Sequence, residues 1–147
     1  LLKNPWIQNN LPYHARGVDS QTAIFSRYKL SRLKIHKVNP KYPVDNLLSA
    51  VVNTPITRVH LLVAHPPHPT SSMENWRQMV VFSYLVAHKA DFQTPFILAG
   101  DLNTTPWSHH FQAMMRQMKL KDSRAGFGIH PTWPERWWPF RIPIDHV

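Results

Sequence analysis

The chain has 147 residues, a length suited to one domain with a core of its own. Its 17 Lys and Arg against 8 Asp and Glu give a formal charge of +9, which favours anionic partners: nucleic acid, phospholipid headgroups or phosphorylated small molecules. The absence of cysteine excludes disulfides and thiolate metal sites, and no run reaches the ~20 apolar residues of a membrane span.

The cations are spread from Lys3 to Arg141 without a dense run, so no nucleic-acid arm is visible. The sequence starts at Leu1 and stops at Val147 inside an apolar, strand-like run, and a fragment cut at both ends is the expectation. In chain order, residues 22–27 read as a short buried strand. Residues 33–38 alternate, with Leu33 and Ile35 predicted inward and Lys34 and His36 outward. Residues 48–52 and 57–64 form a strand pair around a turn at 53–55, the second read as a central strand covered on both faces. Ser71 stands three residues before Glu74, the capping-box spacing, and predicts a helix to about residue 89 with Trp76, Met79, Val80 and Val86 among its apolar positions. Residues 95–99 are a short apolar strand. Thr105 followed by Pro106 reads as an N-cap for a helix with Phe111, Met114, Met115 and Met118 as its core stripe. Residues 121–141 read as mostly irregular, and 143–147 begin another strand. This order of strands and helices indicates an α/β fold with a mixed sheet, in which chemistry gathers at strand ends and the loops after them.

Three elements could carry chemistry. Gly100-Asp101-Leu102-Asn103 follows an apolar strand, and Asp101 and Asn103 alternate with Leu102, so both side chains can point the same way. A carboxylate and an amide so placed can orient water, bind a hard divalent cation and donate to a phosphoryl oxygen, though Gly, Asp and Asn also suit an ordinary strand-to-helix turn. His65 ends a buried strand before a proline-rich loop, where an imidazole can stabilise a transferring phosphate or simply bond its own loop; His60, of different parity, reads as structural. Asp145, in Ile144-Asp145-His146-Val147, is an acid in an apolar strand and needs a partner: a histidine, a metal or an arginine such as Arg141.

The order of motifs resembles the endonuclease/exonuclease/phosphatase superfamily over nearly the whole chain. Ser26-Arg27-Tyr28-Lys29-Leu30, His65, Arg77, Gly100-Asp101-Leu102-Asn103, Thr132-Trp133-Pro134 and Ile144-Asp145-His146-Val147 follow one another as that pattern does. Ala99 to Ser108 is similar to the "A-G-D-x-N-x-x-P-W-S" string of an uncharacterised bacterial branch. The resemblance implies a four-layer α/β sandwich with mixed, mostly antiparallel sheets, incomplete here, and residues 1–147 as a partial domain truncated at both ends. It implies cleavage of phosphoester bonds by water attack at phosphorus, with Mg²⁺ or Mn²⁺ as cofactor. On the same ground Asp101 would orient or deprotonate the water, and Asn103 and His65 would hold the phosphate. Asp145 would hold the imidazole of a catalytic histidine, and Asp101 and Asn103 would contribute to the metal site, whose glutamate lies outside this chain.

The departures also carry weight. The family's metal-binding glutamate has no equivalent upstream of Ser26, Glu74 and Glu135 being misplaced, and its catalytic histidine belongs to a later Ser-Asp-His strand. Lys29 stands where the pattern has proline. The chain as given is therefore expected to be inactive. Asp145 is expected to face inward and His146 outward and dispensable, since neighbours in a strand point to opposite faces. Two functions stay in view: a metal-dependent phosphoesterase, and a catalytically dead module that keeps an anion- or nucleic-acid-binding surface. Trp133, Trp137, Trp138 and Phe140 could serve a nucleic-acid or lipid surface, or ordinary packing.

Overall fold

The structure is a computed structural model, and it describes residues 3–18, 21–92, 95–128, 132–133 and 142–147. It is a mixed α/β fold whose main sheet takes its strands, in spatial order, from residues 30–36, 47–53, 58–63, 96–101 and 145–146. The chain divides into two compact units, Leu1–Ala64 with Phe92–Leu98, and His65–Asp91 with Ala99–Val147.

The first unit opens with α1 (Pro5–Asn10), which the sequence reading did not anticipate. Its signal is local: Asn4 Oδ1 accepts from the N–H groups of Trp6 at 2.9 Å and Ile7 at 3.3 Å, and proline takes the first helical position. β1 (Tyr13–Arg16) pairs antiparallel with β2 (Ala23–Ser26), the strand expected at 22–27. β3 (Leu30–His36), β4 (Leu47–Asn53) and β5 (Arg58–Val63) form an antiparallel meander. Ala15, Ile24, Leu48 and Ala50 make its core, with Leu30, Ile35, Leu61 and Val63 packed against them.

β3 departs from simple alternation. Its register shifts between Ser31 and Lys34, and Arg32 takes a left-handed φ of 49°. That bulge leaves Leu33 55 % exposed, against expectation. His36, expected outward, is only 2 % exposed, because the sheet's second face is covered there. Its Nε2 lies 2.8 Å from Ser49 Oγ, and its ring packs on Phe92 with centroids 5.6 Å apart. His60 is structural, as read from sequence: its ring meets Phe92 and Phe96 edge-on. The β4–β5 turn is closed by Thr54 N–H donating to Thr57 O at 3.0 Å and Thr57 N–H donating to Thr54 Oγ1 at 3.0 Å. Asn53 Nδ2 braces it by donating to Lys29 O at 2.8 Å, and Ile56 at the tip is 96 % exposed.

The second unit is built on α2 (Ser72–Ala87). Its predicted N-cap forms: Ser71 Oγ accepts from Glu74 N–H at 3.2 Å, and the Glu74 carboxylate reaches back to accept from the Thr70 and Ser71 hydroxyls. The buried stripe, however, is Gln78, Val81, Phe82 and Leu85, while Trp76 is exposed and Met79, Val80 and Val86 only half-buried. The predicted stripe was out of phase because a glutamine, not an apolar residue, starts the true one. β6 (Phe96–Asp101) enters this unit at Ala99 and pairs antiparallel with β7 (Asp145–His146). α3 (His109–Met118) packs on α2 and buries Phe111 and Met114, with Met115 and Met118 half-buried. Its N-cap is Ser108, whose Oγ accepts from Phe111 N–H, and not Thr105. Thr105 and Pro106 instead open a turn, with Ser108 N–H donating to Thr105 O at 3.0 Å. Among the described residues no helix is long and apolar enough to cross a membrane. Pro134, Trp137, Trp138, Phe140 and Arg141 lie outside the described residues, as does much of the stretch read as irregular.

Candidate functional site

The site lies wholly in the second unit, where β6 ends. The strand stops at Asp101, and the chain leaves through Leu102, which is buried and anchors the loop. Asn103 takes a left-handed φ of 49°. Asparagine tolerates that region better than most residues, but at a cost, so the conformation must be held from outside. Three bonds hold it. Asn103 N–H donates to Asp101 Oδ1 at 2.9 Å, its side-chain Nδ2 donates to Pro66 O at 2.9 Å, and its carbonyl accepts from Gln78 Nε2 at 2.9 Å. The bond to Pro66 sets the Asn103 amide beside the residue that follows His65.

Gln78 was missed by sequence reasoning. It is 4 % exposed on the core stripe of α2, and its Nε2 also lies 3.2 Å from Leu102 O and 3.4 Å from Pro67 O. One amide thus touches both the loop after His65 and the loop after Asp101. The available signal was a lone polar residue at the head of an i, i+3, i+4, i+7 apolar series.

Asp145 is the direct cross-strand partner of Asp101, so the two carboxylates share a face. Asp145 faces the same way as Asp101, with His146 turned the other way, and it is exposed because that face of β7 is open to solvent. Its N–H and that of Ile144 donate to Thr132 Oγ1 at 3.3 and 3.1 Å. The strand ladder thus sets Asp145 opposite Asp101, and the Asn103 side chain is bonded to Pro66, the residue after His65.

His146 points to the opposite face, as neighbouring strand residues must, but it is built into the structure. It is 5 % exposed, its ring packs on Phe111 at 4.3 Å, and its Nε2 donates to Thr104 O at 2.7 Å. Its Nδ1 accepts from Arg124 Nη2 at 2.8 Å. It is thus part of the fold, whatever its bearing on turnover: the two bonds define a neutral, Nε2-protonated imidazole joining β7 to the loop after Asn103. Burial lowers its pKa, against the pull of the Thr104 carbonyl, and the Arg124 guanidinium lowers it further. Arg124 is fixed by Asp122, which accepts from its Nε at 3.1 Å and its Nη2 at 3.0 Å, and Arg124 Nη1 donates to Asp145 O at 3.2 Å. Those bonds hold the Asp122 carboxyl below the usual carboxylate range.

Asp101 and Asp145 supply two hard oxygen donors of the kind a divalent cation takes. No group of three His, Asp or Glu able to hold a metal exists among the described residues. Among the described residues this pair is part of the donor set that a hard divalent cation such as Mg²⁺ or Mn²⁺ takes.

Residues 2–147 match the profile of the Endonuclease/Exonuclease/phosphatase family, and the chain belongs to that family. No curated protein matches it significantly. Among solved structures it resembles an endonuclease/exonuclease/phosphatase from Beutenbergia cavernae, at 21 % identity and a TM-score of 0.64, over 84 % of this chain and 38 % of that one. It also resembles D. rerio TDP2 complexed with single strand DNA product, at 17 % identity and a TM-score of 0.63, over 91 % of this chain and 60 % of that one. The sphingomyelinase C of Streptomyces griseocarneus is similar at 17 % identity and a TM-score of 0.59, over 76 % of this chain and 49 % of that one. The chain spans about half the length of the sphingomyelinase and beta-toxin structures it matches.

Proposed function

We propose that the protein to which this chain belongs is a metal-dependent phosphoesterase, hydrolysing phosphodiester or phosphomonoester bonds by attack of water at phosphorus. Family membership supports the reaction class, and a related beta toxin from Staphylococcus aureus carries bound magnesium ions. The observation that carries the residue assignments is the bonded loop Asp101–Asn103, tied to Pro66 next to His65. One N–H of the Asn103 amide is spent on Pro66, and the other suits a phosphoryl oxygen. His65 supplies a second contact to the developing charge, and Asp101 orients or deprotonates the water. Asp145, exposed beside Asp101, suits an imidazole partner supplied from outside the described residues. Mg²⁺ or Mn²⁺, when bound, supplies charge stabilisation at the phosphoryl oxygens. The substrate is an anionic phosphoester: nucleic acid, phospholipid or a small phosphorylated molecule.

A specific observation favours a second reading for the chain itself. The incomplete metal set among the described residues fits a module that binds phosphate but does not turn it over. Hydrolysis of bis(p-nitrophenyl) phosphate and of plasmid DNA by the full-length protein, with and without EDTA, separates the two. Metal-dependent turnover that Asp101→Asn abolishes supports the enzyme; phosphate binding without turnover supports the module.

A further inference from the structure

We propose that Gln78 is a positioning residue for the phosphate-contacting loop, holding Asn103 in its left-handed conformation and locking that loop to the one that follows His65. The consequence for turnover rests on the phosphoesterase reading; the structural part does not. Gln78 sits where α2 buries Val81, Phe82 and Leu85, a position that packing alone would give to an apolar residue. A buried amide there is costly unless its hydrogen bonds are made. Its Nε2 meets three carbonyls, those of Asn103, Leu102 and Pro67, at 2.9, 3.2 and 3.4 Å. Two of these belong to the strand-exit loop and the third to the loop after His65.

The geometry makes Gln78 more than a filler of spare acceptors. Asn103 is fixed on its N–H by Asp101, on its side chain by Pro66 and on its carbonyl by Gln78. Only the last of these comes from a helix interior, which is the rigid reference against which both loops are set. Loss of the Gln78 donors leaves three carbonyls without that partner and frees Asn103 to relax from φ 49°. A relaxed Asn103 swings its amide off the phosphate position, and misplacement on the order of 1 Å costs up to about a hundredfold in rate.

Gln78→Met keeps length and packing and removes the donors, while Gln78→Lys restores donors at similar reach. In the 147-residue chain, the Cα, Cβ and side-chain amide resonances of Asn103 should move in Gln78→Met and return towards wild type in Gln78→Lys. The methyl resonances of Val81 and Leu85 should hold, reporting an intact helix. Where Gln78→Met does not fold, Gln78→Asn, which withdraws the donor by one methylene, gives the same reading. In the full-length protein, kcat on bis(p-nitrophenyl) phosphate should fall on the order of tenfold to a hundredfold in Gln78→Met, with KM little changed and recovery in Gln78→Lys. Unmoved Asn103 resonances overturn the proposal whatever the turnover does. Moved resonances with unchanged kcat overturn its catalytic half. A wild type without turnover counts against the phosphoesterase reading alone and leaves the resonances to decide the positioning role.

Discussion

Asp101 and Asp145 stand directly opposite each other in the β6–β7 pair, so two carboxylates share one face at the end of a two-strand ladder. Like charges so placed repel. Asp145→Asn should therefore raise the melting temperature slightly at low salt, an effect that 1 M NaCl, with its ~3 Å Debye length, should erase. The same substitution in the full-length protein should cut turnover by orders of magnitude. A destabilised variant with near-native kcat would remove Asp145 from the site.

Asn103 offers a separation of fold from function. Asn103→Gly and Asn103→Ala both lose the bond to Pro66 O, but only alanine keeps the strain of φ 49°. Glycine should be the more stable of the two by about 1 kcal/mol in urea denaturation. Both should lose most turnover in the full-length protein. Equal stabilities would mean that the left-handed conformation is not held in solution.

His146→Ala should cost about 3 kcal/mol, from the emptied space against Phe111 and the orphaned Thr104 carbonyl. The pH dependence follows from the direction of its shift. The folded pKa lies below the ordinary histidine value of 6.5, so on acidification the unfolded chain takes the proton first. The stabilisation is whole above 6.5 and is lost as the pH falls through that value towards the folded pKa. His60 contributes with the same sign, its pKa lowered by burial and by Arg32 and Lys34. Melting temperatures read across this range should drop with acid, and His146→Phe should flatten the slope. A slope unchanged by that substitution would mean that His146 is already charged in the fold.

Strands β2 to β7 and the two long helices were legible in the sequence, and the four residues proposed for the site could be singled out there, because each rests on local pattern: an apolar strand, a capping residue, a motif at a strand exit; β1 was not read. What was not legible depends on distant neighbours. The burial of His36 requires Phe92 to close over the second face of the sheet, and nothing in residues 33–38 announces that. The phase of α2 was misread because Gln78, a polar side chain, leads the buried stripe, and its partners are 11, 24 and 25 positions away. Thr105 and Ser108 are both sound caps, and the choice between them is made by the turn that Pro106 opens. Asp145 and His146 show the same division. That they face opposite ways is strand geometry, but which face is wet depends on Phe111 and Arg124 covering the other.

The 147-residue chain assayed alone with Mg²⁺ and Mn²⁺ should give little or no turnover of plasmid DNA or p-nitrophenyl phosphodiesters. The described residues offer two neighbouring carboxylates and no group of three ligands, and two carboxylates by themselves hold a hard dication weakly. Turnover well above a heat-killed control would show that the residues present suffice.

The closed turn at Thr54–Thr57 gives the molecule a place to be handled. Ile56 stands clear of the protein at its tip, while the bonds that close the turn come from Thr54, Thr57 and Asn53 and make no use of its side chain. Ile56→Cys would introduce the sole thiol into a sequence that has no cysteine, so a maleimide dye would attach at one position only. The same tip is the natural point to graft an affinity peptide, because lengthening a surface connection costs little closure entropy.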